Sequence, residues 1–405
     1  MARSTTYTMH QCLGRGGFGE VYLATQASGK LSKRVAVKVL RAASKKDNQA
    51  LLRLRDEARM LAVLDHPAIL GVHELTRLAG RVALVTEYVE GVDLARCVTA
   101  KRLLPPRAVV GIMGEVAGAL DCAWTTPSPA TGQPLQLIHR DVKPENIRLS
   151  KHGEVKLLDF GVARTTQLNR EARTVTGDMP FTPGYAPPEA FLAEGVQGGH
   201  TDVFALSVTI YRMLVGEKFY GSLRLTEQIN LAAEPDAYAA HLEAQLAKVP
   251  GGEGVQALLR KGLAWDPTQR PAAAEVEVRC AELVDEMGGL TYKRWARSVA
   301  FPEAQALEGA ELTGQVLEEE EEGIRIEPPP VPPALGNSLK PTTEAFDRPL
   351  RGTPPPEARR EAPVEGARWG LWVGVALFVA LCLAGVVGLT MVFTAVLSAL
   401  VFQAM

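Results

Sequence analysis

Hydrophobic and polar positions follow regular periods from about residue 7 to residue 287, and then the pattern changes twice. Val21, Leu23 and Ala24 stand among turn-poor residues beside a glycine-dense turn, and β-branched positions return over 35–40. This predicts two strands joined by a glycine turn rather than a strand opening into a helix. Leu54, Ala58, Leu61 and Leu64 fall on one face of a predicted helix. Residues 82–89 are apolar and strand-like, and Gly91 ends the run. Residues 125–134, rich in Pro, Gly and Thr, predict a surface turn.

From 288 to 368 the composition shifts. Glu318 to Glu322 is an unbroken acidic run, and Pro328-Pro329-Pro330-Val331-Pro332-Pro333 and Pro354-Pro355-Pro356 follow. Such a stretch buries little apolar surface, so it is expected to be a mostly disordered tether, although 290–307 has enough apolar content to pack against the preceding domain. Residues 369–405 contain no Asp, Glu, Lys or Arg. A spanning helix needs about 20 apolar residues, and 369–394 is expected to form one, with 395–405 as a short apolar tail. Arg359, Arg360 and Arg368 precede it and nothing basic follows. Basic residues mark the cytoplasmic flank, so the N-terminal part is expected in the cytoplasm, on a single-pass protein of the inner cell membrane in contact with the lipid bilayer. Gly374, Gly385 and Gly388 offer a packing face for a homodimer.

At 405 residues the chain exceeds one ordinary core, which points to two lobes plus extra segments. A net charge of −2 gives no support for nucleic-acid binding. Cys12, Cys97, Cys122, Cys280 and Cys382 are scattered and form no Cys-x-x-Cys pair, which argues against a disulfide framework or a zinc site. Residues 1–9 are polar and lack the apolar stretch of a secretory signal.

Two short stretches carry the chemistry. One reads His139-Arg140-Asp141-Val142-Lys143-Pro144-Glu145-Asn146, and Asp159-Phe160-Gly161 follows it. Asp141 is a candidate proton acceptor, and Asn146 and Asp159 are candidate oxygen ligands for a divalent cation. Together they are equipment for moving a phosphoryl group from a nucleotide to a hydroxyl. Gly14-Arg15-Gly16-Gly17-Phe18-Gly19-Glu20-Val21 fits Gly-x-Gly-x-x-Gly-x-Val, a pattern whose first part dinucleotide-binding folds share. Its glycines let backbone close over phosphates without side-chain clash. Lys38 ends the apolar run Val35-Ala36-Val37, and a charge buried in an apolar strand needs an anion. Nucleotide phosphates and Glu57 are the candidates, with Asp56 a competitor about 100° around the helix.

Lys38, Glu57, Asp141, Asn146 and Asp159, in this order and at these gaps, resemble the eukaryotic-type protein kinases, and the chain is most similar to bacterial serine/threonine kinases of that class over about residues 7–284. The resemblance implies an α+β, bilobal fold: a small N-lobe sheet with one helix over 7–89 and a larger, mainly helical C-lobe over 90–287. It implies ATP with Mg²⁺ or Mn²⁺, and Ser/Thr-bearing proteins as substrates. In its terms Gly14, Arg15, Gly16, Gly17, Phe18 and Gly19 cover the phosphates, which Lys38 holds while paired with Glu57. Val21, Ala36 and Leu149 sandwich the base, Thr86 is the gatekeeper, Glu87 and Val89 offer backbone hydrogen bonds, and Asp93 meets the ribose. Lys143 sits near the γ-phosphate. Thr182 lies near Asp141 in a substrate-facing loop, Glu189 pairs with Arg270, and Asp202 holds the catalytic loop's backbone. Arg140 faces a phosphate on the activation loop, with Thr174 and Thr176 the favoured acceptors. Pro187 stands where the family has Ala, which stiffens that loop. Two rival classes are a nucleotide-binding scaffold without turnover and a small-molecule kinase. The retained lysine, aspartates and asparagine speak against the first, and Glu189, Arg270 and the Thr182 loop against the second.

Overall fold

Strand β1 (Thr5–Gly16) turns back into β2 (Gly19–Ser28), and β3 (Leu31–Leu40), β4 (Val72–Leu78) and β5 (Arg81–Glu87) complete an antiparallel run in the order β4-β5-β3-β2-β1. The computed structural model of the chain describes residues 5–16, 19–40, 58, 61–98, 103–129, 131–160, 181–192, 198–301 and 307–319. Gly17, Phe18, Glu57, Thr174 and Thr176 lie outside these residues, as do the expected tether beyond 319 and the expected membrane helix. The chain divides into two units, Met1–Ala334 and Leu335–Met405, and every described residue belongs to the first.

Period-two alternation builds this sheet. Val35, Val37 and Val39 of β3 are buried with Tyr7, Met9, Tyr22 and Val85 on one face, which turns Ala36 and Lys38 to the other. The glycine turn is required at Gly19: a Cβ there would lie 2.1 Å from the Val39 carbonyl oxygen. Ala58 and Leu61 are helical and buried, and the Ala62 N–H donates to the Ala58 carbonyl at 3.0 Å, in keeping with the predicted apolar face.

A second, three-stranded sheet consists of β6 (Gly91–Asp93), β7 (Ile147–Ser150) and β8 (Val155–Leu157). Around it lie α1 (Leu94–Cys97), α2 (Pro106–Thr125), α3 (Gly199–Val215), α4 (Leu225–Ala233), α5 (Pro235–Leu246), α6 (Glu253–Gly262), α7 (Ala273–Glu286) and α8 (Tyr292–Ser298). Apolar faces of α2, α3 and α7 meet in the larger core. Among the described residues α2 is the one helix long and apolar enough to cross a membrane, and here it is a core helix, with Val110, Val116 and Ala117 fully enclosed. The 125–134 stretch closes on itself as expected: the Ser128 N–H donates to the Gln133 carbonyl at 2.7 Å.

Ordered structure runs past residue 287, so the boundary expected there falls inside the folded unit. Helix α8 packs on α2 through buried Tyr292, Trp295 and Ala296, and the Tyr292 hydroxyl donates to Glu115 at 2.5 Å. Residues 307–319 then join the N-lobe. Strand β9 (Val316–Glu318) pairs antiparallel with the outer edge of β1, Tyr7 opposite Leu317. Leu312 and Leu317 enter the N-lobe core. Arg81 grips Glu311 with both carboxylate oxygens at 2.6–2.7 Å. The packing of 290–301 agrees with the apolar content noted there, whereas 307–319 departs from the tether expectation because two buried residues, Leu312 and Leu317, decide burial locally within a stretch of polar composition.

Candidate active site

The face of β3 that carries Ala36 and Lys38 looks onto a cleft of about 220 Å³, lined from the N-lobe side by Leu13, Gly14, Val21, Ala36, Lys38, Leu84 and Thr86. Glu87, Tyr88, Val89 and Asp93 line its edge, and Glu145, Arg148, Leu158 and Asp159 close it from below. The Glu87 N–H donates to the Gly71 carbonyl at 2.9 Å, its carbonyl accepts from the Thr86 hydroxyl at 3.3 Å, and its carboxylate pairs with Lys156 at 2.6 Å.

Two expected members of the cleft are elsewhere. Leu149 is fully buried opposite Val92 in the β6–β7 pair and faces the C-lobe core. Its neighbour Arg148 takes the cleft-facing position. Strand parity explains the error: one step along β7 moves a side chain to the opposite face. Arg15 turns to Glu20 at 2.6 Å and to the Gly309 carbonyl at 3.3 Å, and is absent from the cleft lining. Gly16 and Gly19 close the β1–β2 turn. Leu13, Leu84, Leu158 and Arg148 line the cleft without having been singled out in the sequence; the alternation of Ile147, Arg148 and Leu149 was the signal available for the last.

Lys38 Nζ pairs with Asp159 Oδ1 at 2.9 Å, which links the upper strand to the lower lobe. The nearby ammonium holds the Asp159 carboxyl below the usual carboxylate range. Asp159 has φ +50°, outside the ordinary range for its side chain, while the next residue, Phe160, is buried against His139 with ring centroids 4.7 Å apart. A buried aromatic anchor thus aims the preceding carboxylate into the cleft.

Asp141 is the centre of a second cluster. Lys143 Nζ lies 2.7 Å from its Oδ2, and Asn146 Nδ2 donates to the same oxygen at 2.9 Å and to the Asp141 carbonyl at 2.8 Å. The Thr182 hydroxyl donates to Oδ1 at 2.5 Å, and Lys143 reaches the Thr182 oxygen at 3.1 Å. An aliphatic hydroxyl therefore sits on the carboxylate with an ammonium beside both. The Leu158 N–H donates to the Asn146 carbonyl at 2.8 Å, which sets Asn146 next to the Asp159 turn.

A buried scaffold holds the loop. Asp202 of α3 accepts the N–H groups of His139 at 2.6 Å and Arg140 at 2.8 Å. Burial pushes the Asp202 carboxyl up to about 7, against those two N–H bonds, which favour its charged form. His139 donates from Nε2 to the Leu158 carbonyl at 2.9 Å and accepts at Nδ1 from the Asp141 N–H at 3.3 Å, an assignment fixed by this network. Burial pushes it down to about 4, so it is neutral near pH 7. Arg140 has φ +65°, and burial lowers its pKa. Below, Glu189 and Arg270 form a bidentate pair at 2.7 and 2.8 Å, almost wholly enclosed, with Arg270 also donating to the Ala264, His200 and Trp265 carbonyls.

Oxygen donors fit a hard divalent cation here. Asp159 keeps one carboxylate oxygen beyond its Lys38 contact, and Asn146, whose Nδ2 is committed to Asp141, has its amide oxygen left for a metal. Such cations in nucleotide sites take one or two protein oxygens and complete their shell with phosphates and water.

A strand-lined cleft of this kind, with a carboxylate–hydroxyl–ammonium cluster joined through Asn146 to its Leu158 floor, defines a phosphotransferase class, and residues 7–279 match the protein kinase domain. The chain belongs to the protein kinase family, and its domain is of the bacterial serine/threonine class. It is 32% identical over 303 residues to serine/threonine-protein kinase PkaB of Streptomyces coelicolor, which covers 72% of this chain and 66% of that protein. It is 36% identical over 218 residues to PknB of Mycolicibacterium smegmatis, covering 53% and 33%. PrkC of Bacillus subtilis is 30% identical over 280 residues, covering 67% and 39%. The chain thus spans less than two thirds of each of these relatives.

Proposed function

We propose that this protein transfers the γ-phosphoryl group of ATP to serine and threonine hydroxyls of proteins, with Mg²⁺ as the working cation. The observation that carries the proposal is the Thr182 hydroxyl donating to Asp141 at 2.5 Å with Lys143 beside both oxygens. A substrate hydroxyl in that position gives its proton to, or is aligned by, the Asp141 carboxylate. Lys143 offsets charge that builds on the transferring group. Lys38 binds the α- and β-phosphates and, through its contact with Asp159, ties them to the lower lobe. Bound between Asn146 and Asp159, the cation would neutralise phosphate charge. Gly14 and its neighbours close over the phosphates, Val21 and Ala36 cover the base, and Glu87 and Val89 present hinge groups.

Autophosphorylation of Thr174 or Thr176 is part of the same reading, with Arg140 as the phosphate's partner. Residues 369–394 anchor the chain in the inner membrane with the kinase domain in the cytoplasm. The charge-free composition and the preceding arginines support this.

Incorporation of labelled phosphate from ATP into a generic protein substrate tests the activity. Native protein should yield phosphoserine or phosphothreonine, and Asp141→Asn should not. Equal labelling by both would remove Asp141 from the mechanism. Mass mapping after incubation with ATP should find Thr174 or Thr176 modified.

A further inference from the structure

Arg148 holds a position that the kinase reading leaves without a role. It stands opposite Asp93 in the β6–β7 pair, so the two side chains share the cleft-facing side, while Leu149 and Val92 share the buried one. Its guanidinium makes three bonds at once. Nε donates to the Val89 carbonyl at 2.8 Å, one terminal nitrogen to Asp93 Oδ1 at 2.9 Å and the other to the Gly91 carbonyl at 2.7 Å. Residues 89–93, which connect the two lobes along the cleft edge, are thus folded around a single side chain from the lower lobe. The Arg148 side chain is 18% exposed and that of Asp93 33%, so the pair opens onto the cleft rather than onto free solvent. Gly91 allows the approach: a Cβ there would lie 2.1 Å from the Leu149 carbonyl oxygen.

We propose that Arg148 is a nucleotide-positioning and sugar-specificity residue: it fixes the hinge carbonyls and turns the Asp93 carboxylate so that its second oxygen receives a ribose hydroxyl of the bound nucleotide. The proposal rests on the kinase reading of the cleft. With Oδ1 held by Arg148, Asp93 Oδ2 faces a sugar hydroxyl in one orientation rather than several. The Val89 carbonyl is occupied by Arg148, which leaves the Val89 N–H and the second lone pair of the Glu87 carbonyl, whose first accepts from the Thr86 hydroxyl at 3.3 Å, to meet the base. A five-donor guanidinium fork reaches these three acceptors at once; an ammonium at the same place satisfies fewer of them. Leucine satisfies none and leaves two carbonyls and a carboxylate without their donor.

The test uses the full chain with ATP and 2′-deoxyATP as alternative phosphoryl donors. Native protein should prefer ATP by kcat/KM, and Asp93→Ala should erase that preference. Arg148→Leu should raise the KM for ATP roughly tenfold with kcat within about twofold, because a charged hydrogen-bond network made equally in ground and transition states is lost. Its preference for ATP over 2′-deoxyATP should fall towards one, and Arg148→Lys, which keeps the charge and guards against a variant that fails to fold, should lie between. A loss in Arg148→Leu that is equal for both nucleotides would show a merely structural role and overturn the proposal. So would an unchanged KM and ratio, or a native chain indifferent to the 2′-hydroxyl. A native chain that transfers phosphate from neither nucleotide overturns the kinase reading itself, a result distinct from the others.

Discussion

Asp202 carries a protonation state set by two opposing forces. Burial favours the neutral acid, and the His139 and Arg140 N–H groups favour the carboxylate; burial prevails and lifts the group to about 7. A pKa raised in the folded state contributes stability that is complete below the unfolded value, near 3.9, and is lost as pH rises through the folded value. The destabilisation caused by Asp202→Asn, measured by urea unfolding, should therefore shrink between pH 4 and pH 7. A cost that grows over that window would mean that the two N–H bonds outweigh desolvation. Lys38 was legible because a charge in an apolar strand is costly without a partner, and Asp141, Lys143, Asn146, Asp159 and Asp202 because they fall on motif positions of the family the chain resembles. Leu149 was misassigned because an apolar residue in a strand fits either face equally well by composition, and only the pairing of β7 with β6 decides. Arg148 was overlooked although the alternation of Ile147, Arg148 and Leu149 placed it on the face opposite Leu149. Lys38 was assigned to the nucleotide phosphates and Glu57; Glu57 lies outside the described residues, and the contact described for Lys38 is with Asp159.

At the scale of elements, the Glu189–Arg270 pair and the β9 strap hold different parts together. Glu189 lies on the short 3₁₀ turn Pro188–Ala190 and Arg270 directly follows the turn Pro267–Gln269, so their pairing pins the substrate-side loop to the base of the C-lobe. Arg270→Ala leaves a buried carboxylate unpaired and should cost about 3–5 kcal/mol of unfolding free energy, whereas replacing both partners by apolar residues of similar volume should cost much less. A double-mutant cycle checks this. The strap is read by a similar measurement. Leu312 is 3% exposed in the N-lobe core, and Leu312→Ala should cost about 2–5 kcal/mol. Ending the chain at residue 301 should lower the melting temperature and bare the edge of β1 to self-association. An unchanged melting temperature would mean that β9 contributes nothing to the N-lobe. Strands β1 to β3 were legible from alternation and the glycine turn. Strand β9 was not, because three residues beside an acidic run carry no periodicity of their own.

For the whole molecule, the strap and the cleft meet on one sheet. β1 and β2 carry Gly14 and Val21 of the cleft lining at one end and bear β9 on the outer edge. The folded part therefore continues to residue 319, and the charge-free stretch 369–405 follows after a proline-rich interval. Removal of residues 369–405 should shift the protein from the membrane pellet to the supernatant after cell fractionation; an unchanged distribution would refute the proposed anchor. The central claim is that one cleft binds the nucleotide while Asp141 directs the acceptor hydroxyl. Its most direct measurement compares nucleotide affinity, by calorimetry, with the phosphoryl-transfer rate in native protein and Asp141→Asn. The variant should bind ATP within about twofold of native while transfer falls by about 10²–10⁴, the range general acid–base groups supply. Transfer at the native rate with Asp141 replaced would contradict it.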